Sequence, residues 1–184
     1  EKFLDIIDNE AERLSRLISD ILVLSKIESS TTTDDEDFMP YIVIDEVISI
    51  VKNMAESKNI LLIVEKSEKD IKLHGDKDKF LQLVLNLVEN GIKYSNEGST
   101  VKVRSFIKKG DYILEVEDNG IGIPKEDMPR IFERFYRVDK SRKGGGTGLG
   151  LAIVKHIVKI FNGEISIDSE LNKGSIFTVT IKNI

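Results

Sequence analysis

The chain reads as an α+β domain. We expect a two-layer α/β sandwich, a mixed, mostly antiparallel sheet covered by three helices, preceded by one long helix. Three observations predict it. Short β-branched or alternating segments recur between Phe38 and Ile181, and one pair, around Lys109-Gly110-Asp111, has the form of a hairpin. Three segments of the same span carry helical periodicity. The two kinds do not alternate regularly enough for a parallel doubly wound sheet, which leaves the helices on one face.

Each element follows from its residues. Phe3 to Ile27 is one helix, with Phe3, Ile7, Leu14, Leu17, Ile21 and Leu24 spaced by threes and fours and Glu10 interrupting the series. Ile6, Ile18 and Leu22 widen its apolar stripe. So broad a face needs a partner, and we expect one outside these residues rather than on the following domain. Ser29 to Asp37, SSTTTDDED, is polar and acidic and reads as a linker. The chain thus divides into a helix over 1–28, a linker over 29–37 and a domain over 38–184.

Within the domain, Phe38 to Ile44 is a short strand, and Asp45 can cap a helix to about Ser57. Ile60 to Val64 and Ile71 to His74 are strands, and Asp76 or Lys77 starts the next helix. Thr100 to Ile107 and Tyr112 to Val116 form the hairpin. Pro124 to Arg134 reads as a short helix and Gly148 to Phe161 as a longer one. Strands over Glu164 to Ser169 and Ser175 to Ile181 close the domain.

Composition excludes several classes. With 184 residues, 40% hydrophobic and 32% charged, the domain can bury a core without staples. There is no cysteine, hence no disulfide framework and no thiolate zinc site. A net charge of -5 argues against a general nucleic-acid binder. No apolar run approaches the ~20 residues that span a bilayer, so no direct membrane contact is expected. Because it opens on Glu1 rather than Met, the chain is read as a piece of a longer protein.

Three stretches carry chemistry. In QLVLNLVENGIKYS, Asn86 and Asn90 stand four apart on one helix face, with Lys93 three further on. Two amide oxygens and an ammonium there suit a magnesium ion and the phosphates it bridges. The spacing alone also suits an ordinary solvated face. In DNGIGIP, Asp118 ends a strand, where an ionised carboxylate accepts a hydrogen bond from an exocyclic amine such as that of adenine. Gly120 and Gly122 allow backbone to approach a flat ligand. The bland reading is an Asp-Asn-Gly turn.

In GGGTGLG, Gly144 to Gly150, five of seven positions are glycine before a helix begins. Free N–H groups at a helix start make an anion site. The glycine run implies a mobile lid, and Arg134, Arg137, Lys140, Arg142 and Lys143 cluster beside it as counter-charges for phosphate. A flexible basic linker is the alternative. P-loop, GxGxxG and protein-kinase loop signatures are absent from the sequence.

Taken in order, NLVENGIKYS, DNGIGIP, IFERFYRVD, GTGLGLAI and GSIFTVTI resemble the ATP-binding domain of sensor histidine kinases. That domain shares the Bergerat fold with type II topoisomerases, heat-shock chaperones and mismatch-repair ATPases. The likeness runs from Phe38 to Ile184, and the first helix, ending in Leu-Ser-Lys-Ile-Glu, resembles the second helix of the kinase dimerisation hairpin. The resemblance implies ATP and Mg²⁺. Asn90, assisted by Asn86, would ligate the metal; Lys93 would contact phosphate and Tyr94 would stack on adenine. Asp118 would bind the adenine amine, with Gly120, Gly122 and Ile123 lining the base pocket. Phe132 and Phe135 would anchor the lid, and Tyr136 and Arg137 would face ribose and the γ-phosphate. Gly146, Thr147, Gly148, Leu149 and Gly150 would wrap the phosphates. Asn86, Lys93 and Arg137 would be the catalytic residues.

In the hydrolysing relatives a Glu stands where this chain has Asn86, and Glu89 sits about 100° around the helix from Asn90. That favours transfer of the γ-phosphate to a histidine, for relay to a response-regulator aspartate, over hydrolysis. The family's acceptor box, His-Glu-…-Arg-Thr-Pro, surrounds neither His74 nor His156, the two histidines present. Both read as structural, so the acceptor is expected outside these residues, and the chain is expected to bind ATP without phosphorylating itself. The implied partners are the protein's own dimerisation helices, in a homodimer, and a response regulator. The implied location is cytoplasmic, in a parent anchored at the membrane. A related serine kinase of the anti-sigma type, or an ATP-sensing module without transfer, remains open.

Overall fold

The computed structural model describes residues 2–29, 35–65, 71–138 and 146–182. In order the elements are α1 (Lys2–Ser29), β1 (Asp35–Phe38), α2 (Pro40–Ser57), β2 (Leu61–Glu65), β3 (Leu73–Asp76) and α3 (Lys77–Tyr94). They continue with β4 (Thr100–Lys108), β5 (Asp111–Asp118), α4 (Gly150–Ile160), β6 (Gly163–Glu170) and β7 (Gly174–Ile181). A five-stranded sheet runs β2-β4-β5-β7-β6, and β1 and β3 pair separately as two strands. Only β2 and β4 are parallel in the larger sheet; the other pairs are antiparallel.

The sheet has a dry face and a wet one because the side chains alternate. Val101 and Val103 of β4, Leu114 and Val116 of β5, and Phe177 and Val179 of β7 are buried in the core. Between them Arg104 pairs with Glu115 and with Glu117 at 3.0 Å on the open face. Helices α2, α3 and α4 supply the second layer through Val43, Val47 and Val51, through Leu83, Val84 and Leu87, and through Ile153, Val154 and Ile157. Phe80, at the start of α3, packs on Phe38 at 5.3 Å, Phe161 at 5.9 Å and Tyr112 at 6.1 Å between ring centroids. This cluster ties the small sheet to the large one.

Several boundaries differ from those expected. Residues 38–44 are not a strand: β1 ends at Phe38, and Tyr41-Ile42-Val43-Ile44 belongs to α2. Pro40 opens that helix, where its fixed φ and missing N–H cost nothing. Asp35 to Asp37 pair with β3 rather than joining the linker; residues 30–34 lie outside the described set. Pro124 to Arg134 is a chain of turns, not a helix. Pro129 lacks the N–H and biases Met128 away from the helical region. Helix α4 starts at Gly150 rather than Gly148, because Gly148 has φ +77°.

The long helix behaves in two ways. Leu24 and Ile27, near its end, are buried in the domain core, with Leu17 and Val23 against it. Ile7, Leu14, Ile18, Ile21 and Leu22 are exposed. Its last turns therefore pack on the domain, contrary to the expectation that the whole face pairs elsewhere. Among the described residues, no helix is long and apolar enough to cross a membrane.

Candidate functional site

Helix α3 is the wall on which the site is built. Asp76 caps it, accepting from Lys79 N at 3.0 Å, and Leu83, Val84 and Leu87 fix its inner face. Asn86, Glu89, Asn90 and Lys93 then follow one another at helical spacing along a cavity of about 600 Å³. Tyr94, Tyr136, Arg137, Gly146, Thr147, Gly148 and Gly150 also line it. Leu149 is fully buried beneath its own loop. The resulting space is wide enough for a nucleotide.

Glu89, about 100° around the helix from Asn90, nonetheless lines the cavity. The relevant spacing is to Asn86, three residues earlier and only about 60° away on the same face. Burial raises the Glu89 carboxyl above its ordinary pKa, and the nearby Asp20 carboxylate adds to the effect. Sequence spacing held this signal. Arg16 and Asp20 of α1 also line the cavity, and Thr147 donates its hydroxyl hydrogen to Asp20 Oδ2. Nothing local in the sequence joins residues so far apart.

Lys93 is held at a pKa of about 8, mainly by burial and then by the Arg16 and Arg137 cations. Lys93 Nζ comes so near Gly146 that a Cβ there would lie 2.5 Å from it. Asn86 is buried, and its Nδ2 has no hydrogen-bond partner among the described residues. Gly150 stands over it, where a Cβ would lie 3.3 Å from Asn86 Oδ1. Helix α4 begins with no side chain capping it from Leu149, and Gly150 and Leu151 of its first turn line this space.

Asp118 ends β5 beyond the cavity's lining. It is buried, and Gly120 N donates to its Oδ1 at 2.9 Å. Burial pushes its carboxyl up to about 6, against the main-chain N–H groups of Gly120 and Ser175. The glycines of DNGIGIP approach protein, not open space. A Cβ on Gly122, whose φ is +65°, would lie 2.0 Å from the Glu170 carbonyl oxygen. A Cβ on Gly120 would lie 2.4 Å from the Tyr94 carbonyl oxygen. Ile123 N donates to Ser169 Oγ at 2.9 Å and Asn172 N to Ile121 O at 2.7 Å. The loop is thus clamped onto the β6–β7 turn and the end of α3.

Phe135 is exposed with φ +63°, and its N–H bonds Gly148 O at 2.9 Å, tying the aromatic segment to the glycine loop. Phe132 is partly buried against the core. Tyr136 donates its hydroxyl hydrogen to Asp127, and the Arg130 guanidinium lies 4.2 Å from its ring centre. His74 is exposed beside Asp37, its Nδ1 2.9 Å from Oδ1, and does not line the cavity. The expected lid and the basic residues Lys140, Arg142 and Lys143 lie outside the described residues.

A two-layer sandwich with an amide- and lysine-bearing helix facing a glycine loop defines a nucleotide-binding ATPase-type site. Residues 75–183 match the family described as "Histidine kinase-, DNA gyrase B-, and HSP90-like ATPase". The chain is 38% identical over 184 residues to the sensor histidine kinase WalK of Bacillus subtilis, covering 98% of this chain and 30% of that protein. It is 37% identical over 183 residues to the sensor histidine kinase RppB of Synechocystis, covering 97% and 40%. Among solved structures, the Acinetobacter baumannii histidine kinase AdeS superposes with a TM-score of 0.78 at 27% identity, covering 100% of this chain and 85% of that one. Histidine kinase ThkA in complex with the response regulator protein TrrA superposes at 0.80 with 25% identity, covering 100% and 51%. The chain belongs to the histidine kinase-, gyrase B- and HSP90-like ATPase family, with its Bergerat fold. It spans 30% and 40% of the two curated relatives named.

Proposed function

We propose that residues 38–184 are the ATP-binding catalytic domain of a sensor histidine kinase, and that 1–28 is the second helix of its dimerisation hairpin. The domain holds ATP and directs its γ-phosphate to a histidine on that hairpin, for relay to a response-regulator aspartate. The parent is a homodimer, cytoplasmic in this part and anchored at the membrane. The observation that carries this reading is the convergence of Asn86, Asn90, Lys93, Arg137 and the uncapped start of α4 on one cavity.

Each group has a task fitted to its chemistry. Asp118 accepts the adenine amine, a role that needs the ionised carboxylate. Tyr94 stacks on the base, Gly120, Gly122 and Ile123 shape its surroundings, and Tyr136 faces ribose. Lys93 and Arg137 neutralise phosphate charge, while the main-chain N–H groups of Gly146, Thr147, Gly148, Leu149 and Gly150 cradle the oxygens. Asn90 and Asn86 fit a magnesium ion. They offer two amide oxygens, the Asn86 amide is incompletely satisfied, and no cluster of three acidic or histidine ligands exists among the described residues. Such sparse protein ligation suits Mg²⁺ that is held largely by the phosphates, whose charge it offsets. The residues contribute positioning and charge neutralisation, which is most of what phosphoryl transfer asks of a protein.

Glu89 favours a second reading. A carboxylate on the cavity wall is a base able to activate water, so slow hydrolysis would accompany or replace transfer. The primary reading is tested by calorimetry with ATP and Mg²⁺. Asp118→Asn is expected to weaken ATP binding by about ten-fold to a hundred-fold, since an amide offers its N–H₂ to the adenine amine. Unchanged affinity in that variant would remove the adenine assignment.

A further inference from the structure

The last turn of α3 carries Asn90, Lys93 and Tyr94, and the end of a helix leaves main-chain carbonyls in need of donors. Gly91 O accepts from Ser95 N at 3.1 Å, and Tyr94 O from Ile121 N at 3.1 Å. The rest converge on one side chain from another helix. Lys58 Nζ donates to Ile92 O at 2.9 Å, Lys93 O at 2.7 Å and Ser95 O at 2.7 Å. Three main-chain carbonyls thus share one ammonium, a cation where the helix dipole favours one.

Lys58 is itself held firmly. It closes α2 in a Schellman motif, in which Asn59 takes φ 51°, Asn59 N bonds Glu56 O at 3.0 Å and Ile60 N bonds Ala55 O at 2.9 Å. Asn59 Nδ2 also donates to Glu97 Oε1 at 2.8 Å, across the turn that follows α3. The Lys58 side chain reaches from this fixed point along the wall of the same cavity.

We infer that Lys58 is a positioning residue of the nucleotide site: by gathering the carbonyls of the last turn of α3, it sets where Lys93 stands against the phosphates. The inference rests on the nucleotide reading given above. The body of α3 is secured without Lys58, by Leu83, Val84, Leu87 and Val88 in the core. Ile92, fully buried, keeps the last turn on the core, so loss of the ammonium shifts the turn's carbonyls and Lys93 rather than unwinding the helix. Lys93 owes its lowered pKa mainly to burial, so a displaced turn brings its ammonium nearer water.

The test is calorimetry of MgATP binding to the 184-residue chain between pH 7 and 9. Lys58→Met is expected to melt cooperatively and to bind ATP about ten-fold more weakly, the effect of orphaning part-buried acceptors. The alkaline fall in affinity is expected to move to higher pH. In a Lys93→Met background, Lys58→Met should cost little more, because its effect passes through Lys93. Wild-type affinity in Lys58→Met overturns the proposal. So do losses that multiply with Lys93→Met at an unchanged pH profile. If Lys58→Met does not fold, Lys58→Arg carries the comparison; it keeps the charge, but its planar fork replaces three tetrahedral donors. Wild-type affinity there is equally fatal. Absence of ATP binding by the wild-type chain would instead sink the nucleotide reading itself.

Discussion

Asp118 and Lys93 sit on opposite sides of neutrality, and together they fix how the site responds to pH. Burial holds the Asp118 carboxyl at about 6, so below that pH it gains a proton and cannot fill the amine-accepting role proposed for it. Burial with neighbouring cations holds Lys93 at about 8, so above that pH it loses the charge proposed to meet phosphate. ATP affinity, measured by calorimetry from pH 5 to 9, is expected to peak near 7 and to fall on both sides. Asp118→Asn is expected to remove the acid limb and Lys93→Met the alkaline one. A second prediction concerns Glu89. Glu89→Gln should leave ATP affinity near wild type and abolish any slow phosphate release, followed by a phosphate assay; release that persists would exclude it as the base. The residues at helical spacing on α3 were legible in the sequence. Glu89 is hidden when its angle is judged against Asn90, and shows only against Asn86, about 60° away. Arg16 and Asp20 had no local signal, since only the packing of α1 brings them to the cavity.

Elements explain why the glycines are where they are. In sequence, DNGIGIP suggested backbone pressed against a flat ligand. Gly122 instead makes room for the Glu170 carbonyl, and Gly174 for the Asp118 carbonyl, where a Cβ would lie 1.9 Å away. These contacts lock the Asp118 loop to the β6–β7 turn, which sets the carboxylate's position. Gly122→Ala is expected to lower unfolding free energy by more than about 2 kcal/mol, through a clash with rigid backbone and a strained φ. Gly146→Ala meets only the movable end of Lys93 and should cost far less stability. Thermal melts of the two variants check the contrast. Strand and helix identity was legible wherever periodicity was long, as in α3, β4 and α4. It failed at Pro40 and Pro129, where one proline opens a helix and another prevents one. The reading of the glycines failed because sequence shows that backbone comes close, not to what.

The whole molecule joins a sandwich to a helix that is only partly its own. Phe80 bridges the small sheet, α4 and the large sheet, so Phe80→Ala is expected to cost ~3–5 kcal/mol in a denaturant melt. Helix α1 docks by Leu24 and Ile27 and reaches the cavity through Asp20, while Ile18, Ile21 and Leu22 stay exposed. That arrangement puts α1 side chains, Arg16 and Asp20, on the cavity wall. The fold class followed from composition and pattern because each layer has its own period; the seating of α1 did not, because its apolar stripe is broader than the part the domain covers. Donation of a γ-phosphate to histidine is the activity proposed for this domain. The direct measurement mixes the chain with γ-labelled ATP, Mg²⁺ and a separate helical hairpin carrying a His-Glu-…-Arg-Thr-Pro box. Acid-labile label is expected on the hairpin histidine and is expected to be lost in Asp118→Asn. Label recovered only as inorganic phosphate, or left wholly in ATP, would contradict that proposal.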